Sequence, residues 1–239
     1  MDVDLLVFDL DGTLADTKRD LAQAVNATRA DLGLPALEHS LLYSYVGNGA
    51  PTLVRRAIGD SYDADQLQRS LEFFLNYYRI HMLDYTVLYP GVEETLERLK
   101  SHGLRLAVLT NKPVRFSRDL LWGLGVGEYF WPVYGGNSFE TKKPDPEGLR
   151  KVMEECEVPP GRTLVVGDSA IDVRTARNAG AQACGVTYGF QPETFAAEPP
   201  DFTVETMPQL ADIVCEPGSR PDATLTRNYA GRSEDSNRP

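Results

Sequence analysis

"LLVFDLDGTLADT", Leu5 to Thr17, drives four apolar residues straight into two aspartates separated by a single leucine. The run Leu5, Leu6, Val7, Phe8 reads as a buried strand. Side chains alternate along extended backbone, so Asp9 and Asp11 are expected to project to the same side. Like charges at that separation repel, and more strongly in a poorly solvated cleft. A cation, a shared proton or open water must offset the repulsion.

Outward from that stretch, the apolar pattern predicts strands over 104–109, 163–166 and 181–186, and a weaker one over 130–134. Helical patterns over 93–102, 116–124, 146–156 and 170–179 alternate with them. Near-continuous apolar strands alternating with helices imply a Rossmann-like α/β core, a parallel sheet covered on both faces. Ligands on such sheets bind at the carboxyl ends of the strands.

One interval breaks the rhythm. Between the first two strands lies far more chain than a crossover of about a dozen residues requires. Helical patterns over 18–32, 40–46, 50–58 and 65–82 occupy it, and "TVLYPGV" at 86–92 ends it. Residues 14–86 are therefore expected to form a small helical cap inserted after the aspartates, leaving 1–13 and 87–215 as the core. Hinges are expected near 13–16 and 85–89. From Glu216 the chain reads "EPGSRPDATLTRNYAGRSEDSNRP", too poor in apolar residues to offset ordering, and 216–239 is expected to be a disordered tail.

The 239 residues carry 24 basic against 35 acidic side chains, net −11. That balance argues against nucleic-acid or anionic-membrane partners, so a phosphate ligand must be attracted by local groups or a metal. Cys156, Cys184 and Cys215 are odd in number and far apart, which suits a reducing compartment and excludes a disulfide framework. No stretch is long enough to span a membrane and no secretory pattern opens the chain, so a cytoplasmic monomer or homodimer is expected.

Each strand end delivers polar groups: Asp9, Asp11 and Thr13, then Thr110 and Asn111, then Lys142 and Lys143, then Asp168 and Asp172 in "GDSAIDV". Carboxylate oxygens are the ligands that Mg²⁺ takes. A carboxylate can also attack phosphorus to give an aspartyl-phosphate, while a second protonates the leaving alkoxide and then activates water. Hydroxyl and ammonium donors can hold the phosphoryl oxygens. Simpler readings stand beside these. Thr110 is also placed to cap a helix, and the Lys142–Lys143 pair to be solvated. Ser169-x-x-Asp172 fits a capping box, which can coexist with a metal-site role. Asp16-Thr17 reads as a cap, and Gly47-Asn48-Gly49 either as a tight turn or as a lip facing substrate. Lys112 and Arg115 add positive charge near the second strand end, whereas His39, His81 and His102 match no ligand spacing.

"FDLDGT", "LTNK", "KKPDP" and "VGDSAIDV" resemble, in order, the four motifs of the haloacid dehalogenase superfamily of phosphohydrolases. The resemblance implies Asp9 as nucleophile and Asp11 as general acid/base, with Thr110, Asn111 and Lys143 binding the phosphoryl group. It also implies Mg²⁺ held by Asp9, the backbone carbonyl of Asp11 and Asp168, with Asp172 and Thr13 in support. "DLAQAVNATRADLGLP", "YVGNGAPTLVRRAIG" and "GVTYGF" resemble the bacterial phosphoglycolate phosphatases more closely. This implies hydrolysis of 2-phosphoglycolate, with Gly47, Asn48 and Gly49 of the cap setting specificity. Capped pyrophosphatases, sugar-phosphate phosphatases and phosphomutases share the four motifs and stand as alternatives. A phosphoacceptor signalling domain also places acids, a Thr and a Lys on a parallel sheet, but needs neither the inserted helices nor the late "GDSAIDV" acids.

Overall fold

The structure, a computed structural model, describes residues 1–215; the tail expected over 216–239 lies outside the described residues. In chain order the elements begin with β1 (Leu5–Phe8), β2 (Ala15–Asp16), α1 (Lys18–Asp31), α2 (His39–Tyr43), α3 (Ala50–Ile58), α4 (Ala64–His81) and β3 (Val87–Leu88). The chain continues with α5 (Val92–Ser101), β4 (Arg105–Leu109), α6 (Val114–Gly123), β5 (Val133–Tyr134) and α7 (Glu147–Glu155). It ends with β6 (Thr163–Gly167), α8 (Ala170–Ala179), β7 (Gln182–Val186), β8 (Phe202–Val204) and α9 (Met207–Cys215).

The sheet has six strands in the order β5-β4-β1-β6-β7-β8, and every pairing in it is parallel. Helices cover both faces, so the central strands β1, β4 and β6 are buried on both sides. Along β1, Leu6 and Phe8 pack into one core with Leu106, Val108, Leu164 and Val166. Leu5 and Val7 face the opposite core with Ala107, Leu109 and Val165. That two-sided burial is why the run in front of Asp9 lacks a polar position. Phe8 lies in register with Val108 and Val166, so β1, β4 and β6 end together. Asp9, Thr110 and Asp168 consequently emerge from neighbouring strands at one edge.

The inserted segment leaves and rejoins through β2 and β3, which pair antiparallel. Asp20 on α1 is fully buried, and its Oδ2 accepts from Tyr85 N, Thr86 N and Thr86 Oγ1 at 3.0, 2.9 and 2.8 Å. This ties the returning chain to the first inserted helix. Asp63 opens α4 with a reciprocal cap, accepting from Gln66 N at 2.8 Å while its own N–H donates to Gln66 Oε1 at 3.1 Å.

Three differences from the sequence reading concern short elements. The strand expected over 130–134 contracts to Val133–Tyr134, because Pro132 has no N–H to give a ladder. Strand β8 was not expected, since only Phe202 and Val204 of its residues are buried and so brief an alternation carries little signal. Strand β2 was not expected either, for it has only two residues, whereas its partner β3 falls within the strand-like "TVLYPGV" stretch at 86–92. No helix among the described residues is long and apolar enough to cross a membrane.

Candidate active site

Asp9 follows directly on β1, and its N–H still pairs with Val166 O at 2.9 Å, so the carboxylate is delivered by the sheet. Lys143 Nζ lies 3.1 Å from Asp9 Oδ2 and 2.7 Å from Asp172 Oδ1. The Thr110 hydroxyl, on the neighbouring strand end, favours the charged form of Asp9. The second oxygen of Asp172 accepts from Ser169 N and Oγ at 3.2 and 2.8 Å. One carboxylate therefore caps α8 and orients a lysine beside Asp9. Asp168 completes the group, its Oδ2 accepting from Phe190 N at 2.6 Å. Gly12 allows this closeness: at φ +81°, a Cβ there would meet Asp168 Oδ2 at 2.3 Å.

Carboxylate oxygens of Asp9, Asp168 and Asp172 lie within 4.8 Å of one another. Lys143 is the ammonium set among them, so negative charge is in excess. Burial pushes the Asp9 carboxyl up to about 6, with Lys143 opposing and Asp172 adding to the rise. Burial likewise holds Asp168 well above the ordinary carboxylate range, reinforced by Asp172 and Asp9. Burial alone would lower Lys143, but Asp172 and Asp9 hold its ammonium above the usual lysine range. A cluster of hard oxygen donors carrying surplus negative charge fits a small divalent cation.

Asp11 keeps different company. Lys112 Nζ donates to its two oxygens at 2.9 and 3.2 Å, and Thr17 Oγ1 donates to Oδ1 at 2.6 Å. The same ammonium donates to Tyr78 Oη at 2.8 Å and stands 4.5 Å from that ring's centroid. Lys112 and Tyr78 are both buried, and burial pushes the Tyr78 hydroxyl up to about 12. Thr17, expected as a helix cap, makes no side-chain cap on α1. Its hydroxyl is turned to Asp11 instead, a role its position before a helix did not disclose. Arg115 is exposed and faces Asp119 at 3.9 Å, one turn along the same helix.

A cavity between the sheet edge and the inserted helices is lined by Asp9, Asp11, Thr110, Asn111, Lys112 and Asp168 on the core side. Leu21, Leu53, Phe74 and Tyr78 line it from the inserted side. Of the expected lip, Gly47 and Gly49 line this cavity, whereas Asn48 lines a neighbouring depression with Ser44 and Arg56. Asn111 Nδ2 donates to Gly47 O at 2.9 Å and to Lys143 O at 3.1 Å, so this side chain fastens two loops together. Lys142 Nζ donates to Asn48 O at 2.8 Å, and Gln191 Nε2 to Val46 O at 2.9 Å and Ser44 O at 3.3 Å. Core side chains thus clasp the carbonyls of residues 44–48. Thr13 is buried but does not line the cavity; its carbonyl accepts from Tyr188 Oη at 2.9 Å. His81 and His102 pair with Asp84 and the Arg98 carbonyl, and no histidine lines the cavity.

Comparison with known proteins agrees with this architecture. Residues 6–186 match the family described as haloacid dehalogenase-like hydrolase. A phosphoglycolate phosphatase of Vibrio vulnificus strain CMCP6 is 40% identical over 220 residues, covering 89% of this chain and 96% of that one. One of Pseudomonas putida is 40% identical over 222 residues, covering 90% of this chain and 81% of its own. Among solved structures, a predicted phosphoglycolate phosphatase from Haemophilus somnus 129pt superposes with a TM-score of 0.85 at 32% identity, covering 89% of this chain and 98% of that one. The chain belongs to the haloacid dehalogenase-like hydrolase family and is a phosphoric monoester hydrolase.

Proposed function

We propose that the enzyme hydrolyses 2-phosphoglycolate to glycolate and phosphate, in a Mg²⁺-dependent reaction that passes through an aspartyl-phosphate on Asp9. One observation carries this reading: the two aspartates of a single loop have separate lysines, Lys143 for Asp9 and Lys112 for Asp11. Neighbouring acids in distinct environments can divide nucleophilic from acid/base work.

In this reading an Asp9 oxygen attacks phosphorus, the P–O ester bond breaks, and Asp11 gives its proton to the departing alkoxide. Asp11 then takes a proton from water as that water attacks the phosphorus, releasing phosphate and regenerating the Asp9 carboxylate. Lys143 and the Thr110 hydroxyl hold the phosphoryl oxygens while charge shifts among them. Mg²⁺ would be held by Asp9, Asp168 and the Asp11 carbonyl, with Asp172 behind them, and would supply charge neutralisation for the phosphoryl group. Residues 14–86 act as a cap over the core of 1–13 and 87–215, opening and closing between turnovers.

The choice of substrate is supported by relatives about 40% identical that carry the name phosphoglycolate phosphatase. A cytoplasmic setting accords with Cys156 and Cys184 being buried thiols rather than disulfide partners. The test is kcat/KM on 2-phosphoglycolate against pyrophosphate, several sugar phosphates and p-nitrophenyl phosphate, with Mg²⁺, with EDTA and with Asp9→Asn. Preference for 2-phosphoglycolate that vanishes in both controls is the expected result. Metal-dependent preference for another ester would overturn the substrate, and an active Asp9→Asn enzyme would overturn the mechanism.

A further inference from the structure

The substrate reading raises a question of charge: what holds the carboxylate of 2-phosphoglycolate? A single methylene separates that carboxylate from the bridging oxygen. The group that recognises it must therefore stand beside the residue serving that oxygen, which is Asp11. Lys112 is the sole basic residue lining the cavity among the described residues, and its Nζ is 2.9 Å from Asp11 Oδ1. The other ammonium groups nearby are engaged: Lys143 faces Asp9 and Asp172 at 3.1 and 2.7 Å, and Lys142 donates to Asn48 O at 2.8 Å. Leu53, Phe74 and Phe116 form much of the remaining wall and offer a carboxylate no hydrogen bonds.

Lys112 has capacity left over. An ammonium carries three protons. Its contacts to the two Asp11 oxygens, at 2.9 and 3.2 Å, share one bifurcated donor and the Tyr78 hydroxyl, at 2.8 Å, takes another, which leaves a third donor. Tyr78 Oη accepts from Lys112 and so retains its own proton to give. Two donors on adjacent atoms, both buried and both lining the cavity, match the two oxygens of a carboxylate. One comes from the core loop and the other from helix α4 of the inserted segment, so the full pair exists only when the two approach each other.

We propose that Lys112 Nζ and Tyr78 Oη form the subsite for the substrate's carboxylate, one side of Lys112 positioning Asp11 and the other selecting an anionic leaving group. The proposal rests on the substrate reading above. It also gives the inserted segment a specificity residue outside the Gly47-Asn48-Gly49 turn.

The experiment compares 2-phosphoglycolate with ethyl phosphate, the same two-carbon ester without the carboxylate. It is run in wild type, Tyr78→Phe and Lys112→Met with Mg²⁺ present. The readout is the ratio of the two kcat/KM values, which cancels losses common to both esters, including any from a misplaced Asp11. A charge-assisted hydrogen bond lost from the subsite should lower the ratio about tenfold in Tyr78→Phe and about a hundredfold in Lys112→Met. Tyr78→Phe keeps the ring stacked on Phe74 and edge-on to Phe116, so it tests the hydroxyl in a folded protein. If wild type discriminates and both variants keep its ratio, the pair only positions Asp11 and the subsite is overturned while the substrate reading stands. If wild type does not discriminate, the substrate reading falls and the subsite with it.

Discussion

Asp9 and Asp11 share a loop but not a neighbourhood. Asp9 draws its partners from the core: Thr110, Lys143 and Asp168 at strand ends and loops, and Asp172 in the first turn of α8. Asp11 is gripped partly from elsewhere, by Thr17 at the entry to α1 and, through Lys112, by Tyr78 on α4. The first environment is rigid because a closely packed parallel sheet builds it. The second depends on how the inserted helices lie on the core. The difference separates the group that should attack phosphorus from the group that can sense what covers it.

The comparison is most exposed at the lysines. Lys143→Met would leave the buried Asp168 and Asp172 and the half-buried Asp9 facing one another, and removing one partner of a buried charge pair costs about 3–5 kcal/mol. With a phosphoryl-holding donor also lost, kcat should fall about a thousandfold. Lys112 answers a single carboxylate, so Lys112→Met should destabilise the chelated protein less than Lys143→Met does. Urea unfolding of both variants in EDTA checks this, and equal losses would break the distinction.

Thr17→Val removes the hydroxyl that holds Asp11 and leaves the Asp9 cluster alone. We expect kcat to fall about 10- to 100-fold with little change in KM, since acid/base catalysis contributes about 10²–10⁴-fold in all. Thr17→Ser should restore most of the loss. A Thr17→Val enzyme with wild-type kcat would mean that Lys112 alone positions Asp11.

A third expectation concerns pH. In the folded protein Asp9 stays protonated up to about 6, against an ordinary 3.8, so the folded state binds more protons than the unfolded chain in between. Its contribution to stability should therefore decline as pH rises from about 4 to about 6. Calorimetry in EDTA should show wild type losing Tm relative to Asp9→Asn across that window, by several degrees. Mg²⁺ should reverse the loss at the upper end. A wild type that gains on Asp9→Asn as pH rises would show that Lys143 outweighs burial at this site.

The smallest effect belongs to the clasp. Gln191→Ala removes donors to two carbonyls of the inserted segment, each hydrogen bond worth about 1 kcal/mol. KM should rise a few-fold while kcat holds. A fall in kcat with unchanged KM would assign Gln191 to chemistry instead.

Much of the scaffold was legible because it is written locally. The run from Leu5 to Phe8 shows two-sided burial without reference to any other residue. The helix over Ala170–Ala179 and its Ser169–Asp172 cap are readable within four positions of sequence. Asp9, Thr110, Lys143 and Asp168 could be placed at one edge because strands of a parallel sheet end together. Thr17 was misread for a local reason too: a hydroxyl before a helix usually caps it, and only the fold of the Gly12 turn brings Asp11 within reach.

The sequence by itself determined which residues stand at strand ends, since periodicity and turn residues act over a few positions. Which charges meet was decided by tertiary structure. Asp11 and Lys112 are 101 positions apart, and Lys112 and Tyr78 are 34 apart. Their contacts follow from β1 lying beside β4, and from the inserted helices folding back over that edge. A carboxylate's position can be read from the strand that carries it, but its partner depends on strand order and on the docking of the inserted segment, which no local pattern encodes.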